Sequence, residues 1–153
     1  MTVQLEGTLA HRSVSPGDRC PIDRAMQAIG TRSAILLMRE AFYGTGRFDD
    51  FVTMSGLTEA VTAQRLRELV DAGLLAKQPY REPGQRTRYA YVLTDSGRDL
   101  MPAVFALGQW AASHVPHRGT PRLSHAGCGG RVDVEFRCRE GHAVIPDELV
   151  VTG

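Results

Sequence analysis

Two sets of residues in this 153-residue chain have the types and spacing to do chemistry. Near the C-terminus lie His125-x2-Cys128 and Cys138-x3-His142, two short-spaced pairs with nine residues between them. Thiolates and imidazoles are the ligands of tetrahedral zinc, and Gly129, Gly130 and Gly141 would let the backbone turn tightly around such an ion. The same residues also allow a metal-free hairpin descended from a zinc site, or a Cys128–Cys138 disulfide, which a reducing cytoplasm disfavours. Further upstream, Cys20 precedes Pro21 at the start of a predicted helix. The positive end of a helix lowers a thiol pKa and favours the reactive thiolate, so Cys20 is a candidate redox group; the alternative is a structural cysteine at a subunit interface.

The second set lies between Arg47 and Arg88. Thr58, Ala63, Gln64 and Arg67 fall on one side of a predicted helix, where glutamine can pair bidentately with adenine and arginine with guanine in a DNA major groove. The competing reading is an ordinary amphipathic helix with a solvated polar face. Arg81, Arg86 and Arg88 flank a predicted turn and can grip phosphate or enter a minor groove, or serve solubility alone. Arg47 opens the preceding helix, within reach of a phosphate or solvated. Between Arg65 and Arg88 there are six basic residues against three acidic ones, although the net charge of the chain is only +1. The positive charge is local, which argues against a general nucleic-acid coat.

Periodicity defines the elements that must position these residues. Thr58 has the hydroxyl of an N-cap, and Glu59 favours the positive end of the helix dipole, so a helix starts there. Leu66, Leu69, Val70 and Thr62 recur at helical spacing as its buried stripe, and Gly73 stops it. Leu74 to Tyr80 and Arg88 to Leu93 read as strands joined through Glu82-Pro83-Gly84-Gln85. Upstream, Cys20-Pro21 opens a helix with Asp18 as a candidate cap, with Ile22, Ala25, Met26 and Ile29 on its apolar face and Gly30 at its end. Ser33 to Tyr43 is apolar on more than one side and is expected to be the central core helix. Phe48, Phe51, Val52 and Met54 give the next helix its buried face. Thr94-Asp95-Ser96-Gly97 caps a helix running to about His114, in which Leu100, Val104, Leu107 and Ala111 form a heptad-like seam and Pro102 introduces a bend.

The segments CPIDRAMQAIG, LLMREAFYGTGRFDDF, QRLRELVDAGLL and YREPGQRTRYAYVLTDSGRDLMP, with Trp110, resemble the HxlR-type family of bacterial winged helix-turn-helix regulators. The resemblance runs from about Cys20 to His114. It implies a homodimeric transcription factor that binds a double-stranded DNA operator, with a dimer interface made by the first helix, including Ile22, and the last. Where the family usually has a tryptophan after the first helix and a basic residue early in the recognition helix, this chain has Ser33 and Ala60. Unless Met26, Phe105 or Trp110 fills in, the smaller Ser33 predicts an apolar void between the core and dimer helices, a candidate pocket for an apolar small-molecule effector; the alternative is complete repacking.

The sequence therefore predicts an α+β, mainly α fold: a winged helix-turn-helix with a long dimerisation helix and a small C-terminal β appendage. Residues 1–19 read as a flexible arm, 20–115 as the DNA-binding and dimerisation domain, 116–123 as a linker, and 124–153 as a β tail or zinc ribbon. In the tail, Val132, Val134 and Phe136 alternate as in a strand, and 143–145 and 149–151 form further short strands. A content of 42% hydrophobic and 23% charged residues suits a globular protein with a core. No apolar run approaches the roughly 18 residues that cross a bilayer, and the N-terminus lacks a signal-like pattern, so a cytoplasmic location is expected. The chain has no phosphate-binding glycine loop, HExxH or GxSxG, and a fully ligated zinc would leave no open position. It is expected not to be an enzyme. The alternatives are an interaction module that has lost DNA binding and a dedicated thiol-based redox sensor.

Overall fold

The computed structural model describes residues 3–11, 20–116, 119 and 121–152. They fall into two compact units, Asp18–Phe105 on one side and Met1–Gly17 with Ala106–Gly153 on the other. Strand β1 (Gln4–Glu6) belongs to the second unit. The first unit holds α1 (Pro21–Ile29), α2 (Arg32–Phe42), α3 (Phe48–Ser55), α4 (Glu59–Asp71), β2 (Leu75–Tyr80), β3 (Arg88–Leu93) and α5 (Asp95–Asp99). Helix α6 (Met101–His114) starts in the first unit, and its residues from Ala106 belong to the second.

The core of the first unit follows from helical spacing. Ala34, Leu37, Met38 and Ala41 make one continuous stripe on α2, which is the central helix that the sequence predicts. Against it pack Phe51 of α3, Leu66 and Leu69 of α4, and Leu74 and Leu75 at the start of the wing. Phe51, Leu37, Met38, Leu66, Leu69 and Leu75 are fully buried, and each such side chain contributes roughly 1.5 to 3 kcal/mol of hydrophobic stabilisation. Helix α2 begins at Arg32 because Thr31 caps it, its hydroxyl accepting from the Ala34 amide at 3.2 Å. Thr58 caps α4 in the same way, accepting from the Val61 amide at 3.3 Å. The turn between α3 and α4 depends on Gly56, whose φ of +66° an L side chain rarely adopts.

Strands β2 and β3 pair antiparallel, from Leu75 opposite Leu93 to Tyr80 opposite Arg88. Thr94 then ties the wing to α4. Its hydroxyl donates to the Gly73 carbonyl at 2.6 Å and accepts from the Gly97 amide at 3.0 Å, capping α5. Gly97 is buried directly on the chain at Leu74, where a Cβ would lie 2.1 Å from the Leu74 carbonyl oxygen.

The single long helix expected from Thr94 to His114 is instead two, α5 and α6, divided at Leu100. Pro102 has no N–H for the Arg98 carbonyl, and its ring crowds that oxygen, so the helical ladder cannot run through. The predicted dimer seam is divided as well. Leu100 packs half-buried on the core of its own chain and Val104 is buried. Leu107 is exposed and Ala111 half-buried.

In the second unit β1 lies parallel to β6 (Val150–Thr152), with Gln4 opposite Val150. The N-terminal segment is thus not wholly the loose arm that its weak periodicity predicts. Gln4–Glu6 is a paired strand followed by a 3-10 turn at Gly7–His11, whereas residues 12–19, including the candidate cap Asp18, lie outside the described residues. Strand β4 (Phe136–Arg137) pairs antiparallel with β5 (Ala143–Val144). The strand predicted from Val132 to Phe136 is shorter because its backbone bonds to a side chain instead. The Gln109 amide of α6 donates to the Val132 carbonyl at 2.8 Å and accepts from the Val134 amide at 2.9 Å. Among the described residues of this unit none is buried.

Two substitutions check this account. The Thr62 hydroxyl is buried without a hydrogen-bond partner among the described residues. Thr62→Val should therefore raise the urea midpoint, by about 1 kcal/mol in unfolding free energy. Gly97→Ala should lower it by about 1 to 3 kcal/mol, because backbone must move to admit the methyl group.

Candidate nucleic-acid interface

Three sides of α4 are spent differently. Thr62, Leu66 and Leu69 face the core, Glu59 and Ala60 are exposed at its first turn, and Gln64 and Arg67 are exposed one turn on. Arg67 donates to the Gln64 carbonyl oxygen at 3.0 Å, and the Gln64 amide donates to Glu68 at 2.7 Å. Glu68 also accepts from Arg65, and the hydrogen bonds from Gln64 and Arg65 hold its carboxyl below the usual carboxylate range. Glu68 is therefore ionised at neutral pH.

The wing presents the second basic surface. Gly84 at φ +77° and the Gln85 amide bonded to the Glu82 carbonyl form its turn, and Arg81 braces it by donating to the Gln85 carbonyl at 3.0 Å. Arg86 and Arg88 are exposed, and their guanidinium groups have no hydrogen-bond partner among the described residues. Arg47 is committed elsewhere. It pairs with Glu82 at 2.8 Å and lies 5.1 Å from the Tyr80 ring centroid, which joins the start of α3 to the wing. Both partners are exposed, so this pair contributes little, on the order of 0 to 1 kcal/mol, and phosphate can compete for it.

The structure thus gathers Gln64 and Arg67 on α4 and sets Arg81, Arg86 and Arg88 on the wing. Ala63 is half-buried and offers only a methyl surface, while Thr58 uses its hydroxyl as a cap. Sequence reasoning passed over Arg65 and Glu68, which join the polar face through hydrogen bonds. Their spacing of three and four residues from one another and from Gln64 was the available signal.

Ser33 has polar neighbours. Its hydroxyl accepts from Arg65 Nε at 3.1 Å and lies 3.3 Å from the Thr31 hydroxyl, so the space next to it holds a guanidinium. Phe105 is covered by Phe42 and Tyr43, with ring centroids 6.0 and 6.4 Å away, while Met26 and Trp110 are exposed. Cys20 is the half-buried N-cap residue of α1 and makes no side-chain capping bond.

In the tail, His125 Nδ1 lies 3.3 Å from Cys128 Sγ, and Cys138 Sγ lies 3.6 Å from His142 Nδ1. Two such ligands on tetrahedral zinc, at about 2.3 Å for sulfur and 2.0 to 2.1 Å for nitrogen, are about 3.5 Å apart. Both pairs sit in turns closed by glycines of positive φ, Gly129 and Gly141. Among the described residues, however, no three such donors converge, so the pairs form two separate halves. Cys128 and Cys138 are both free thiols, and the disulfide alternative is not what the tail contains.

Comparison with known proteins agrees with this geometry. The family model of the HxlR-like helix-turn-helix matches residues 28–119. The chain is 36% identical over 119 residues to the uncharacterized HTH-type transcriptional regulator Rv3095 of Mycobacterium tuberculosis, covering 76% of this chain and 74% of that protein. It is also 27% identical over 96 residues to the uncharacterized HTH-type transcriptional regulator YybR of Bacillus subtilis, across 62% of this chain and 75% of that one. Among solved structures, PA1607, provisionally assigned as a transcription factor, superposes with a TM-score of 0.74 at 32% identity, over 85% of this chain and 92% of its own. The redox regulator HypR in its reduced form gives 0.55 at 26% identity, over 61% and 92%.

Proposed function

Because the chain belongs to the HxlR-like helix-turn-helix family of transcriptional regulators, we propose that α4 enters the major groove and reads bases through Gln64 and Arg67. The wing arginines Arg86 and Arg88, braced by Arg81, hold the flanking phosphates. The observation that carries this reading is the pairing of an exposed, hydrogen-bonded Gln64–Arg67 face with exposed arginines on the adjoining hairpin. The protein acts by binding rather than by catalysis.

The active form in this reading is a homodimer on a two-half-site operator. On α1 every residue except Ile29 is exposed, Ile22 by 72% and Met26 by 49%. Leu107 and Trp110 are likewise exposed on α6. A helix that leaves its apolar face open is supported by burying it against a second copy. Half-site centres should then lie about one helical turn, or a multiple of it, apart.

Arg67→Ala or Gln64→Ala should cost about 1 to 3 kcal/mol of discrimination between sequences. Arg86→Ala should weaken binding to all DNA alike and lower the slope of log affinity against log salt by about one unit. Random-sequence selection and salt titration measure these. A protein that stays monomeric at micromolar concentration and selects no sequence would overturn the reading.

For the tail we propose one zinc bound by His125, Cys128, Cys138 and His142. The matching ligand-edge distances in both pairs support this, as does the lack of any buried residue among the described residues of the unit. Binding would require the two turns to approach each other. Titration of the metal-free protein with Co(II) should show one equivalent bound, with the absorption of tetrahedral cobalt thiolate. Uptake below about a tenth of an equivalent would refute the site.

A further inference from the structure

Four hydrogen bonds among five side chains link the core helix α2 to the exposed polar face of α4. Ser33 accepts from Arg65 Nε, Arg65 donates to Glu68, Glu68 accepts from the Gln64 amide, and the Gln64 carbonyl accepts from Arg67. Every bond in this chain includes a guanidinium or a carboxylate, whose role is fixed by chemistry. A carboxylate can only accept and a guanidinium can only donate. An amide held between the two has one favourable orientation, with its nitrogen toward Glu68 and its oxygen toward Arg67.

The remaining capacity of each group is what base reading needs. Gln64 has two N–H groups and an oxygen with two lone pairs; one N–H is given to Glu68 and one lone pair to Arg67. One donor and one acceptor site are left, the set that pairs bidentately with adenine N7 and N6. Arg67 spends one of its five donors on Gln64 and has enough left for guanine. We infer that Glu68 is a positioning residue for sequence recognition, holding the Gln64 amide in the orientation that reads adenine, and that Arg65 and Ser33 anchor it to α2.

This inference rests on the proposal that α4 reads DNA. Glu68 brings a negative charge toward phosphates, so it disfavours binding to DNA in general. Its presence on this face is explained by what it does to Gln64. Arg65 is half-buried and already bound to Ser33 and Glu68, so it is an anchor and not a phosphate contact.

The experiment compares the full-length protein with Glu68→Ala, Gln64→Ala and the double variant, by random-sequence selection, affinity for non-specific DNA and thermal unfolding. Glu68→Ala should lose about ten-fold discrimination at the base pair that Gln64→Ala also relaxes. Its affinity for non-specific DNA should be unchanged or higher, and its unfolding midpoint unchanged. In the Gln64→Ala background the effect of Glu68→Ala on discrimination should disappear, because Glu68 acts through Gln64. Ser33→Ala should reproduce part of the loss without touching α4. Unaltered base preference in Glu68→Ala overturns the inference. So does a loss that persists in the double variant, which would make Glu68 a direct reader of cytosine. If the wild-type protein itself selects no sequence, the DNA-reading proposal fails first, and this result is separate from either of those.

Discussion

The packing of α3 and α4 on one stripe of α2 is the constraint on which the rest depends. Phe51, Leu66 and Leu69 are buried against Leu37 and Met38, and this fixes both the angle between the two helices and the rotation of α4 about its own axis. A close-packed interior tolerates little rotation, because turning α4 would bring Gln64 or Arg65 inward and Leu66 outward. Once Leu66 is buried, the helical period places Gln64 and Arg67 on the opposite side. The exposed Gln64–Arg67 face is thus a consequence of the core and is not separately assembled.

Around that core the connections are short and satisfied. Gly56 turns α3 into α4, Thr58 caps α4, and Thr94 binds the end of α4 to the start of α5 through the Gly73 carbonyl. Thr94 and Gly97 therefore control where the wing lies relative to α4. The Arg47 contacts with Tyr80 and Glu82 join the same wing to the start of α3. The polar chain from Ser33 to Arg67 adds a second link between core and interface, made of hydrogen bonds.

The second unit obeys different physics. Val134 is bonded through its backbone to Gln109 of α6, β1 is paired to β6, and the two glycine-closed turns hold paired donors, yet no described residue of the unit is buried. Val132, Phe136, Ile145 and Val151 all keep much of their apolar surface in water. A segment built from short strands without a core has little hydrophobic stabilisation of its own.

The sequence by itself determined the elements of the first unit from α1 to β3 and the residue types exposed on α4 and the wing. Apolar spacing of three and four, threonine and glycine at helix ends, and a proline-glycine turn between two strands are local signals, and each describes the same segment independently. The exposure of Gln64 and Arg67 was legible for the same reason, since a buried stripe implies the face opposite it. Only the tertiary structure decided what Ser33 contacts, since the guanidinium that reaches its hydroxyl belongs to Arg65, 32 positions away. It likewise committed Leu100 and Val104 to the core of their own chain, and paired Gln4–Glu6 with Val150–Thr152 across nearly the whole sequence. Periodicity shows that a face must be covered. What covers it depends on contacts between distant residues, and these exist only once the chain has folded.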